Sequence, residues 1–324
     1  TMGLLPSWFE ERRRGLATGV AVSGSSIALI ATGVFLPRLL AARPVQGWRV
    51  SWYLLGACSL LIASLAAALL RNRPKRGARD EATFGKNADG PDRSGAYPET
   101  VLQYGNPGAD GTPPCPTPDR LRWDLVYRAR PVWHLGAVYA GFGFSYIIYL
   151  TFFVRYLSGE LGYTEQAAGR LFMLIGWLSL ACGFLWGSLS DRIGRNRTLT
   201  IIFSVQAASF SLFGLASGTA VGAAGILVSA CLFGLTAWSI PAVMAAACGD
   251  VVGRRLAPAA LGFITLFFGI GQALGPLAAG AVADLTASFT WSFILAAGAS
   301  TAGGIGSWFL KPARAGSRRR VPLH

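Results

Sequence analysis

The chain has 324 residues, 52% of them hydrophobic and only 14% charged, and carries a net charge of +14 from 29 Lys and Arg against 15 Asp and Glu. A soluble domain carries about 25% charged residues, so lipid rather than water is the expected main solvent. A water-soluble enzyme is excluded at this stage. So is nucleic acid as the reason for the basic balance, because the positive charge sits in loops beside lipid-length apolar segments.

A bilayer core about 30 Å thick needs roughly 20 apolar residues per helix. Stretches of that kind lie near 15–40, 50–70, 133–157, 165–190, 198–217, 221–247, 256–282 and 289–310, which predicts eight spanning helices. They are rich in Gly, Ala, Ser and Leu, a pattern of helices and not of the short alternating strands of a barrel. The fold class is all-α, a polytopic helical membrane protein.

Lys and Arg stay preferentially on the cytoplasmic side. With residue 1 inside, 24 of the basic residues fall in inner loops and 5 in outer ones. Both termini are therefore expected in the cytoplasm, with anionic headgroups of the inner (plasma) membrane as the partner of the basic loops. Met2 preceded by Thr1 does not read as a natural start, so upstream sequence is expected.

Residues 71–130 break the apolar pattern with Pro, Gly, Asp and Arg. Such a stretch buries too little apolar area to order itself and reads as a disordered cytoplasmic linker, in which LRWDLVYRARPVW can form a short interfacial helix. The expected domains are 1–70 with two helices, the linker 71–130, 131–310 with six helices, and a basic tail 311–324. Gly19 and Trp48 are 29 residues apart, as are Gly262 and Trp291, and an arginine cluster precedes each pair. The first two helices thus look equivalent to the last two. Two halves of six would leave four helices ahead of residue 1.

WFEERRRGLATGVAVSGSS followed by GWR at 47–49, GSLSDRIGRNRTL at 187–199 and GIGQALGPLAAGAVAD at 269–284 resemble the major facilitator superfamily, notably its monocarboxylate and oxalate/formate carrier branches. The resemblance implies a bundle lacking its first four helices, helices five to twelve of twelve. It implies transport of a small-molecule substrate by alternating access, secondary active or facilitative. The alternative is a truncated or non-transporting membrane protein that acts through partner binding.

In the loop at 187–199, Gly187 would let two helices approach and Gly194 would permit a tight reversal. Asp191, Arg192, Arg195 and Arg197 would supply charges for a breakable latch, with Asp250 as a further partner and the start of the first helix, Arg13 to Leu16, as the place for Asp191. The simpler reading is that these arginines only obey the topological bias. For a substrate pathway, Tyr139, Tyr146 and Tyr149 recur at helical spacing, and a hydroxyl is costly against lipid but cheap in a wet cavity. Tyr139 and Tyr149 read equally as interfacial anchors. Trp238, with Ser239 and Pro241, interrupts the sixth stretch, and Gln272 with Thr265 sits within the seventh, where an interhelical hydrogen bond is the alternative to function. Tyr146, Trp238 and Gln272 are expected to converge on one polar concavity.

Gly262, Gly269, Ala273, Pro276 and Gly280 share a face and are expected to form a packing seam or a hinge, as are Gly19, Ser23, Ser26, Gly33 and Pro37 on the first helix. No Asp, Glu, Lys or His lies in the middle of an apolar stretch, so proton or ion coupling would fall to the missing helices. The five cysteines and two histidines show no metal-ligand spacing and no triad, so no cofactor, metal or catalytic residue is expected.

Overall fold

The computed structural model describes residues 11–43, 45–69, 123–216, 222–253 and 256–310. The chain divides into one unit of residues 1–70 with 123–324 and a second of 71–122. The second lies outside the described residues, as do the basic tail and most of the expected linker.

The first unit holds eleven helices among the described residues. They are α1 (Glu11–Ala42), α2 (Gly47–Leu69), α3 (Trp123–Arg128), α4 (Arg130–Gly159), α5 (Glu165–Ser179), α6 (Cys182–Ile193), α7 (Arg195–Gly214), α8 (Gly222–Thr236), α9 (Ser239–Val252), α10 (Ala257–Thr286) and α11 (Thr290–Trp308). Within 71–130, residues Trp123–Arg128 are thus helical and α4 begins at Arg130, one residue before the expected boundary.

Ser23–Ala42, Gly47–Leu69, Arg130–Gly159, Gly222–Val252 and Ala257–Thr286 are long and apolar enough to cross a membrane. The α5–α6 pair, bent by 42°, adds a sixth when taken as one span. The stretches expected near 198–217 and 289–310 are helical as α7 and α11 but fall short of that measure of apolarity. The reason is their load of Ser, Thr, Gln and Gly. Both still pack inside the bundle, α11 against α4, α7 and α10, and α7 against α8.

Local chemistry explains the helix ends. Pro131 and Pro258 occupy first-turn positions of α4 and α10, where the missing N–H costs nothing. Thr164 caps α5 by accepting from the Ala167 N–H at 3.2 Å. Gly194 joins α6 to α7 at φ 95°, a left-handed geometry that a Cβ would strain. At the opposite end of α7, the Glu160 carboxylate accepts from Ser288 Oγ at 2.7 Å and from the Phe289 N–H at 2.8 Å, tying the end of α4 to the α10–α11 turn.

The closest helix contacts are glycine against carbonyl. A Cβ on Gly275 would stand 2.6 Å from the Phe144 carbonyl oxygen, and one on Gly271 would collide with the Ala140 carbonyl. The α10 seam therefore runs through Gly271, Gly275, Ala279 and Ala283, which are buried. It does not run through the expected Gly262, Gly269 and Gly280, which face open space, nor through the exposed Ala273. The expected face is displaced because α4 sits on the other side of α10. On α1 three of the expected residues pack on α5: Gly33 lies against the Gly169 carbonyl, Pro37 against Gly169, and Ser26 Oγ is 2.7 Å from Ser179 Oγ, while Gly19 falls outside the residues whose packing is described. Gly187 has open space around it, so it mediates no close approach.

The aromatic core fills the middle of the six-helix part. Tyr149, Phe153, Phe210, Phe213, Phe233 and Phe293 are fully buried, with the Tyr149 ring 4.5 Å from Phe233 and 4.9 Å from Phe213. Ser209 and Ser229 exchange hydrogen bonds with each other's carbonyls at 2.9 and 2.8 Å, joining α7 to α8. We expect Gly275→Val to separate α4 from α10, because the added atoms meet backbone that cannot give way. The overpacking cost is about 1–3 kcal/mol or more. A lowered unfolding midpoint in detergent checks this, with Gly280→Val, on open space, as the unchanged control.

Candidate functional site

The α4–α10 seam sets the register of two side chains from those helices. Gln272, one residue past Gly271, donates through Nε2 to the Tyr146 hydroxyl. Phe268, one turn earlier on α10, stacks on Tyr139 at 4.6 Å and on Tyr146 at 5.7 Å. Phe142 completes the stack, 4.7 Å from Tyr146. Trp238 meets the edge of Tyr146 at 6.3 Å. Tyr146, Trp238 and Gln272 thus come together from three elements of the bundle, with Tyr139 one ring further along.

The expected open concavity is not what surrounds them. Tyr139 and Tyr146 are buried and Trp238 and Gln272 half-buried, because Phe142 and Phe268 fill the space between the rings. Grooves of about 460 and 640 Å³ lie elsewhere, between α7 and α11 and between α10 and α11. Two expectations are corrected at this level. Tyr149 is no part of the cluster: its hydroxyl pairs with Ser229 Oγ at 2.9 Å inside the aromatic core, as helical spacing carries it past the face that Tyr146 presents. Thr265, though seven residues from Gln272, is exposed and returns its hydroxyl to the Leu261 carbonyl at 2.7 Å.

Trp238 sits at a break. Residues 237–238 separate α8 from α9, and Pro241 has no N–H to offer the Ala237 carbonyl. The carbonyls next to the break are taken by side chains instead. Leu235 O accepts from Trp186 Nε1 at 2.7 Å. Thr236 O accepts from Ser239 Oγ at 2.6 Å and Gln206 Nε2 at 3.3 Å. Side chains of α6 and α7 therefore clasp the interrupted span, which is how irregular backbone survives at membrane depth. Gln206 Oε1 and Trp238 Nε1 are buried without a hydrogen-bond partner among the described residues. Gln206 escaped the sequence reading, although a glutamine inside the 198–217 stretch is the same signal that singled out Gln272.

The charged loop forms a second constellation. Arg195 is held by Asp250 Oδ2 at 3.0 Å from its Nε, by Asp191 Oδ1 at 2.6 Å and by Ser190 Oγ at 2.6 Å. One guanidinium thereby links the end of α6, the start of α7 and the end of α9. A cation in the first turn of α7 opposes the helix dipole, and the two carboxylates offset that. Arg192 and Arg197 are exposed and form no ion pair among the described residues. Asp191 finds its partner in Arg195, and the side chains of Arg13 to Leu16 lie outside the described residues. Four cysteines among the described residues are free thiols, and no metal-binding cluster occurs among those residues.

Similarity to known proteins agrees with this architecture. Over 294 residues the chain is 25% identical to monocarboxylate transporter 4 of Mus musculus, covering 88% of this chain and 54% of that protein. It is 22% identical over 312 residues to the hexuronate transporter of Bacillus subtilis, covering 91% of this chain and 64% of the relative. It is 34% identical over 127 residues to human solute carrier family 67 member A1, covering 39% of this chain and 30% of that protein. The chain thus spans between about a third and two thirds of the length of these relatives. The family profile of the Major Facilitator Superfamily matches residues 1–240 and, in a second overlapping alignment, 156–323. With its helical, lipid-length architecture and these matches, the chain is an integral membrane protein and belongs to the Major Facilitator Superfamily.

Proposed function

We propose that this chain is the larger part of a transporter that moves a small solute across the membrane by alternating access, with Tyr146, Trp238 and Gln272 on the solute's path. The observation that carries the reading is their convergence from α4, the α8–α9 break and α10. A broken span beside a polar cluster is where transporters of this general kind place solute. The relatives named above, a monocarboxylate and a hexuronate transporter, support a small organic solute. The cluster offers hydrogen bonds and ring faces rather than charge. An ionised substrate's countercharge or a coupling acid would therefore come from outside it. The Tyr146–Gln272 pair would open to admit the solute, exchanging one hydrogen bond for another.

The lopsided distribution of Lys and Arg supports both termini in the cytoplasm and the inner or plasma membrane as the location. On that orientation the Arg195 constellation lies at the cytoplasmic end, where it ties α6, α7 and α9 together. Breaking it would accompany opening to the inside. The pathway is tested with the gene product that contains this chain, reconstituted in liposomes and assayed with monocarboxylates and hexuronates. Tyr146→Phe should raise the apparent KM severalfold at unchanged expression, since losing one hydrogen bond costs about 0.5–1.5 kcal/mol. Unchanged kinetics would place the path elsewhere.

The latch is tested through Cys248, which is buried on α9 two residues before Asp250. With the other cysteines replaced, Arg195→Gln should raise the maleimide labelling rate of Cys248. The exchange Arg195→Asp with Asp250→Arg should lower it again. Salt at about 0.5 M should imitate part of the effect in the unaltered protein, since the carboxylates are substantially exposed and open to screening. Labelling that ignores all three would leave Arg195 a topological marker only.

A further inference from the structure

We propose that the groove between α7 and α11 is a binding site for one anionic phospholipid of the cytoplasmic leaflet. The groove has a volume of about 460 Å³ and is floored by Thr200, Ser204, Thr301 and Gly304, with Trp308 at one end. It rests on the cytoplasmic orientation proposed above for the α6–α7 end, and on nothing in the substrate pathway.

The floor is narrow because its residues are small, and it is chemically quiet because its hydroxyls are already paired. Thr200 Oγ1 donates to the Asn196 carbonyl at 3.0 Å, Ser204 Oγ to the Thr200 carbonyl at 2.9 Å and Thr301 Oγ1 to the Ala297 carbonyl at 2.8 Å. A surface with such satisfied groups is apolar to whatever lies in it. The same residues keep α7 and α11 below the apolarity of a typical span, so that deficit and the groove are one feature. The groove spans about two turns of α7, about 10 Å at 1.5 Å per residue, a length that suits part of an acyl chain.

Charge identifies the headgroup. Arg197 lies three residues before Thr200 on the same stripe of α7, exposed and with no ion pair among the described residues. Arg197 at the start of α7 and Trp308 at the end of α11 thus stand at the same mouth of the groove, and Arg197 gives that mouth a positive charge. Trp308 is 61% exposed there, an amphipathic ring at interfacial depth. A second copy of this chain is the poorer occupant, because it would bring two basic mouths together. Nor do α1 and α2 cover the groove, since α1 packs on α5 and α6 and α2 on α1. An acyl chain gains little by leaving other lipid, so selection comes from groove shape and from the headgroup charge.

The test is native mass spectrometry of the purified chain released from detergent containing equal phosphatidylglycerol and phosphatidylcholine. We expect one retained lipid with about a fivefold preference for phosphatidylglycerol, the effect of one basic side chain beside an anionic group. Arg197→Gln should bring the two lipids to near parity. Ser204→Leu with Thr301→Leu, at two exposed positions, should abolish retention of both. Independently of these variants, phosphatidylglycerol with brominated acyl chains should quench the emission lost in Trp308→Phe more than brominated phosphatidylcholine does. Equal retention of both lipids by the unaltered chain would overturn the proposal. So would retention that survives filling of the groove, no headgroup difference in quenching, or a dimer that disappears when the groove is filled.

Discussion

The absence of a Cβ at Gly271 and Gly275 lets α10 lie directly on the carbonyls of α4, and the rest of the candidate site depends on that spacing. At this separation Gln272 reaches Tyr146 and Phe268 slides between the rings of α4. Helices held apart by ordinary side chains would leave the amide without its phenol. Between helices in lipid, close packing and hydrogen bonds replace the hydrophobic effect as the source of association. One seam therefore does two things: it joins the helices and places the cluster.

The same scarcity of water governs the polar side chains. Serines and threonines return their protons to carbonyls one turn back or, like Ser292 to Ala279 and Ser300 to Phe203, across to a neighbouring helix. The α8–α9 break extends this rule to backbone, with Trp186 and Gln206 supplying donors that the interrupted helix cannot. Gln206 Oε1 and Trp238 Nε1 depart from it. A buried unpaired polar atom costs about 1–3 kcal/mol, so the two orphans concentrate unmet hydrogen-bonding demand beside the α8–α9 break. That region adjoins the aromatic cluster of Tyr146, Phe268 and Trp238.

Charge placement follows a different priority. Arg195 and Arg197 stand in the first turn of α7, where the helix dipole disfavours cations. Topology outweighs the dipole here, and Asp191 and Asp250 repair the conflict at Arg195. Arg197 has no such repair among the described residues, and the groove mouth beside it inherits a positive charge.

Composition and apolar run lengths determined the class and the helical stretches, because a span of lipid must be apolar for its whole length wherever its neighbours lie, and Pro241 marked the break at Trp238 because it has no N–H to give. The charges of the loop at 187–199 were equally legible, since loops carry charge that spans cannot. Which face of each helix packs was not. Gly269 and Gly271 differ in sequence by two places, yet only the position of α4 decides that one is seam and the other open surface. Tyr146 and Tyr149 have the same chemistry, and only the neighbours separate a residue of the cluster from one of the core. Helices that are apolar all round carry a weak facial signal, and so their contacts are settled by tertiary packing rather than by periodicity.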